Sequence, residues 1–294
     1  VPRFQRQLLG GLAAFVLTAG SAIAFGDDPP AGGEPSQASE SLSQFRQELA
    51  SRRPGLIAEL SSADPAQVKK AIDEIDDWAK GAVASRRADI FEMLVDTKHY
   101  DEAEDRAVKN ILKTLANNWA IEHLQKMRVK SFLKQGKNTE ALSAAKVYYN
   151  VCRFAETKDA ISLVGLCLAA VHPDDKTIAR RFKEQQVAAA SATQPAEGVE
   201  ESILASISTE PSPFDAANVD GMVPTGYISY EAKGNLLLLV GRATDAKEAF
   251  DRAYDIASDQ QIMGATENVA RAIRAANGSV GPANAYLISV QQKK

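Results

Sequence analysis

Lys126, Lys130 and Lys134 are spaced by four and lie opposite Leu124 and Phe132, so on a helix they form one basic stripe. Such a stripe suits an acidic partner; it equally suits carboxylates on a neighbouring helix, since charge runs on helices usually face solvent or each other. The other chemistry-bearing residues are scattered. His99, His123 and His172 fall at or near the ends of three different helical patterns. The chain has no G-x-S-x-G, H-E-x-x-H, C-x-x-C or Walker loop. Gly136-Lys137-Asn138 lacks the upstream Gly and the Ser/Thr of a phosphate loop. Asn218, Asp220 and Gly221 have part of a calcium-loop pattern, but Ala216 and Tyr227 stand where the first and last carboxylates belong. No metal and no cofactor is expected. The acid pairs Asp76-Asp77 and Asp174-Asp175 read as solvated helix surface. Cys152 and Cys167, placed on helices joined near Glu156, would lie about 10 Å out of register at ~1.5 Å per residue, too far for a disulfide. Two separate buried thiols are expected.

The elements that carry these residues are set out by proline. Of the 12 prolines none lies between Pro65 and Pro173 or between Pro224 and Pro282. Proline breaks helix interiors, so these blocks suggest helices. Pro54 and Pro65 mark candidate helix boundaries, with Ser62 or Asp64 as cap. Val68, Ala71, Ile72 and Ile75 step at helical intervals, as do Ala107, Val108, Ile111, Leu112 and Leu115. Leu236–Val240 is short enough for a buried strand, but its neighbours continue a helical pattern. The 294 residues are 45% hydrophobic and only 6% aromatic, so the core must be aliphatic and alanine-based. A net charge of -4 argues against a nucleic-acid partner.

Residues 1–24 read as a secretory signal peptide. Arg3 and Arg6 precede an apolar run from Leu8 to Leu17 and the small-residue site Ala22-Ile23-Ala24. The competing reading is a retained anchor; after cleavage no membrane span remains. A disordered tether is expected over 25–41, around Pro29, Pro30 and Pro35, and helices over 42–190. Ser191–Gly226 holds four prolines and six acids without Lys or Arg, and reads as an acidic linker or long loop with a helical turn or two near Val199–Ile207. Helices resume over 227–294.

Within that last region, Tyr227–Gln260 resembles a tetratricopeptide repeat. Tyr230 stands at the first aromatic position, Gly234 at the small residue of the first helix, and Gly241 at the turn. Ala246, Phe250 and Ala253 make the small–large–small face of the second helix. Lys233, Leu237 and Ser258 depart from the pattern. Gly136, Ala141 and Ala145 form a weaker copy, and Lys98, Tyr100, Ala103 and Ala107 another. The resemblance implies an all-α fold of antiparallel hairpins stacked as a solenoid, interrupted by the acidic proline-containing loop; the alternative is a non-repetitive bundle. It also implies a scaffold that binds a protein or peptide through the groove side of its first helices, the Lys126–Lys134 stripe included; with the signal-like start, an exported one is expected. The register places Glu92 level with Lys130 and Asp96 level with Lys134, so the stripe also fits pairing across the repeat interface. The competing functions are an all-helical envelope enzyme without a local motif and a structural envelope component.

Overall fold

The computed structural model describes residues 42–191, 203–207, 213–214 and 219–292. The signal-peptide and tether expectations lie outside these residues. All regular structure among the described residues is helical. The elements are α1 (Leu42–Leu60), α2 (Pro65–Gly81), α3 (Arg87–Asp96), α4 (Tyr100–Lys113), α5 (Asn118–Lys134), α6 (Asn138–Val151), α7 (Thr157–Val171), α8 (Ile178–Ser191), α9 (Ile203–Ser206), α10 (Tyr227–Leu239), α11 (Ala243–Asp255), α12 (Ile262–Asn277) and α13 (Gly281–Gln292). Leu236–Val240 is therefore the end of a helix and its cap, not a strand.

Local chemistry sets the helix starts. The Asp64 carboxylate accepts from the Ala66 amide at 2.9 Å, and Pro65 takes the first helical position, where its missing N–H costs nothing. Ser229 Oγ accepts from the Gly226 amide at the start of α10. Pro54 departs from expectation: it lies inside α1, which continues past it to Leu60. Leu56 and Leu60 are buried beyond it, and that packing outweighs the backbone hydrogen bond Pro54 cannot donate.

Consecutive helices pack as hairpins. Four of the hairpin turns share one geometry. Lys98, Gly136, Gly241 and Gly278 each adopt a left-handed backbone, with φ of 67°, 72°, 80° and 60°. The amide of the following residue bonds back to the carbonyl five residues earlier: His99 to Leu94, Lys137 to Phe132, Arg242 to Leu237, Ser279 to Arg274. This is the Schellman closure of a helix end. Five residues after each left-handed residue comes a fully buried alanine: Ala103, Ala141, Ala246 and Ala283. A small side chain there lets the second helix close on the first.

At Gly234 the approach is closest. A Cβ built there would sit 2.3 Å from Phe250 Cε1, so the ring occupies the space a side chain would take. Ala246 and Ala253 flank Phe250 on α11, all fully buried, while Tyr230 is half-buried on α10.

The described residues on either side of Ser191–Gly226 share their apolar cores. One cluster runs from Phe45, Ile75 and Ile111 to Leu236–Leu239, Phe250 and Val269. A second, around Tyr148, Tyr149 and Phe182, takes in Val280. At its described positions the intervening segment has the helical turn expected near Val199–Ile207. It forms the short helix α9 and buries Leu204, Ile207, Phe214 and Val219. Burying these four residues favours docking over free solvation.

Candidate interaction surface

The first helices of four successive hairpins, α1, α3, α5 and α7, are tied by a ladder of ion pairs. Arg53 of α1 and Lys134 of α5 both bond Asp96 of α3. Lys130 meets Glu92 at 2.8 Å, and Lys126 meets Asp159 of α7 at 2.6 Å. All three stripe lysines are thus paired with neighbouring helices, at the register expected for Glu92 and Asp96. These side chains remain a quarter to a half exposed, so the ladder is also an accessible surface. The described buried residues of the Ser191–Gly226 segment lie against residues other than the stripe lysines, as described below.

At the head of α5 the ladder ends in an aromatic cluster. The Arg153 guanidinium lies 3.4 Å from the centre of the Trp119 ring, and Trp119 stacks on His123. Arg153 also donates to both oxygens of Glu122, through Nε at 3.1 Å and Nη2 at 2.7 Å. Burial pushes the nearby Asp89 carboxyl up, partly offset by His123. The sequence reading missed Trp119 and Arg153. The signal available was that Trp119 is one of only two tryptophans in the chain and sits one turn before His123.

A second line of pairs joins other helices. Arg106 grips Asp76 through Nε and Nη2, both at 2.6 Å; this hydrogen bonding holds the guanidinium above its usual pKa. Arg128 grips Glu104 from 2.6 Å.

Deeper, a polar network fixes α10 and α12 against α5 and α6. Asn235 Nδ2 donates to the Leu115 carbonyl at 2.6 Å and to Asn118 Oδ1 at 2.8 Å. Arg271 donates to Asn268 and Asn235, and Asn268 donates to Glu231. Arg274 donates to the Thr157 hydroxyl and to the carbonyls of Asn150 and Cys152, closing the C-terminal end of α6. Arg87 does the same for α2, through the carbonyls of Ala79 and Ala82. Charge is favoured at helix C-terminal ends when it is positive. Burial depresses Arg271 to about 10 and raises Glu231, whose bond from Asn268 and nearby Arg271 oppose the rise.

The thiols are structural in their surroundings. Cys152 and Cys167 are both buried and not bonded to each other. Burial raises them to about 11 and about 12, which keeps them protonated at neutral pH. Cys152 caps α6, nearer the turn than expected, because the helix stops at Val151. His99 and His172 flank helix ends as expected, while His123 lies inside α5. Among the described residues no group of three His, Cys, Asp or Glu could hold a metal ion, and no helix is long and apolar enough to cross a membrane. No family model, curated protein or solved structure matches this chain.

Proposed function

We propose that this chain is an exported helical-repeat scaffold, similar to the tetratricopeptide family, that binds a protein or peptide and carries no catalytic activity. The observation that carries this reading is the hairpin turn repeated at Lys98, Gly136, Gly241 and Gly278, each followed by its buried alanine. That recurrence supports a stacked-repeat architecture, and stacked hairpins present extended surfaces suited to partners. The signal-like start over residues 1–24 supports export.

The contact surface in this reading is the ion-pair ladder of α1, α3, α5 and α7, with Lys126, Lys130 and Lys134 at its centre. Exposed pairs of this kind are each worth ~0–1 kcal/mol. An acidic partner can therefore replace Glu92 and Asp96 at Lys130 and Lys134 at small cost. The test is affinity capture from the exported fraction with the unaltered protein and with Lys130→Glu/Lys134→Glu. Loss of the captured partner with little change in thermal stability supports the surface. If stability falls, returns when Glu92 and Asp96 are changed to Lys, and capture persists throughout, the stripe is internal and the binding surface lies elsewhere.

A further inference from the structure

Leu204, Ile207 and Phe214 lie in the most acidic, proline-rich part of the chain, yet they are 2%, 8% and 3% exposed. They dock on three helices in turn. At α8, Gln185 Oε1 accepts from the Ile203 amide at 3.4 Å. At α6, Lys146 Nζ donates to the Ile207 carbonyl at 2.8 Å, and Leu204 and Ile207 join the apolar cluster of Tyr148, Tyr149 and Phe182. At α5, the Arg128 guanidinium lies 5.6 Å from the centre of the Phe214 ring.

The helical surface beneath them has polar capacity that these docked residues do not use up. Lys146 has no carboxylate partner among the described residues, and burial lowers its pKa. Gln125, fully buried and bonded to Arg128 through Oε1, has no acceptor for its Nε2 among the described residues. In sequence, Glu200 and Glu201 precede the apolar residues, Glu210 falls between them and Asp215 follows. The arrangement is that of a peptide on a receptor: apolar side chains at i, i+3 and i+10, and a main-chain carbonyl held by a lysine.

We propose that the α5–α6–α8 groove is a peptide-binding surface, and that Leu204, Ile207 and Phe214 occupy it in place of an acidic partner segment with two aliphatic residues three apart and an aromatic seven further on. This rests on the reading of the chain as an interaction scaffold but concerns a face different from the lysine ladder. The tethered residues compete at an effective concentration in the millimolar range. A partner peptide must displace them to bind, which weakens its apparent affinity.

The test uses the full chain and a fluorescent synthetic peptide with the sequence of residues 200–216. Fluorescence anisotropy compares the unaltered protein with Leu204→Ser/Ile207→Ser/Phe214→Ser. The released variant should bind the peptide on the order of 10-fold tighter or more, and adding Lys146→Glu should remove most of that gain. A released variant that stays helical by circular dichroism and binds no better than the unaltered protein overturns the proposal. So does a released variant that fails to fold, because the docked residues are then an indispensable part of the core. Hydrogen exchange on the unaltered protein gives a second reading: the amides of Ile203–Ser206 should exchange well before those of α6. Exchange of both together overturns the proposal as well. A partner captured equally by the unaltered and released proteins, with no peptide binding, rejects this groove and leaves the scaffold reading standing. Failure of capture as well rejects both.

Discussion

Changing Gly234 to alanine should destabilise the protein, against the usual effect of that substitution in a helix. The added Cβ would lie 2.3, 2.5 and 2.7 Å from Phe250 Cε1, Cδ1 and Cζ. Carbon atoms pack at about 3.5–4.0 Å, so the contact must open by more than about 1 Å. Phe250 is fully buried, and the Arg271 guanidinium lies 5.9 Å from its ring centre, so the ring has little room to swing. Separation of α10 from α11 is the remaining relief. Overpacking of this kind costs ~1–3 kcal/mol. Glycine to alanine in a helix interior returns roughly 0.5–1 kcal/mol. The net is a loss of about 0–2.5 kcal/mol, centred on about 1 kcal/mol, or a few degrees in Tm for a chain of this size. Gly165→Ala is the control. It lies within α7 and its Cβ would meet nothing nearer than 3.9 Å, so it should hold or raise Tm. Adding Phe250→Leu to Gly234→Ala should show a favourable coupling in a double-mutant cycle, since leucine lacks the clashing ring atoms. If Gly234→Ala raises Tm alongside Gly165→Ala, the close crossing of α10 and α11 is refuted.

Three further outcomes are expected. Lys98→Gly should stabilise by about 0.5–1 kcal/mol, because a left-handed conformation costs a side-chain-bearing residue ~1–2 kcal/mol and glycine returns part of that to the unfolded chain; Gly241→Ala should do the opposite, and matching signs in urea denaturation would contradict the shared turn. Burial raises Glu231, so the folded state binds more protons than the unfolded state just above the ordinary glutamate value, and stability should fall as pH rises through that window; Glu231→Gln keeps the acceptor for Asn268 and should flatten that fall in urea midpoints measured from pH 4 to 7. Limited proteolysis should cut first within Ser191–Gly226, but the fragments should co-elute on size exclusion because Asn235, Arg271 and Arg274 and the shared cores hold them together; fragments that separate without denaturant would contradict this packing.

The features that could be read from the sequence are those set by spacing within one hairpin or between neighbouring hairpins. The separation of Ala103 from Ala141 is the same 38 residues that separates Glu92 from Lys130 and Asp96 from Lys134, so one register placed two ion pairs. The turn at Gly241 and the small residues Gly234 and Ala246 at the crossing followed from residue size; that Phe250 fills the space beside Gly234 in its own hairpin, rather than the gap toward the next repeat, did not. Arg271 and Arg274 could not be placed this way. On a helical pattern they look like an exposed basic edge, and the carbonyls and amides that accept from them belong to residues as far as 124 positions away. The hint was polar residues on the buried side of α10, where Glu231 and Asn235 are spaced by four just before Leu236–Leu239. The anchoring of Leu204, Ile207 and Phe214 was masked by the composition around them: six acids and four prolines describe a solvated stretch on average, and average composition is blind to three well-spaced apolar side chains.

The closure of α6 by Arg274 also sets an order of events during synthesis. The carbonyl of Cys152 and its guanidinium donor are 122 residues apart. At about 5–20 residues per second, α6 leaves the ribosome roughly 6–25 s before Arg274 does. Over that interval the end of α6, the Leu115 carbonyl that Asn235 will satisfy and the Phe154 amide that Glu267 will satisfy all face solvent or a holding factor. A chain that stalls before α12 would leave the Cys152 carbonyl without its Arg274 donor and the Phe154 amide without its Glu267 acceptor, with the apolar surface around them uncovered.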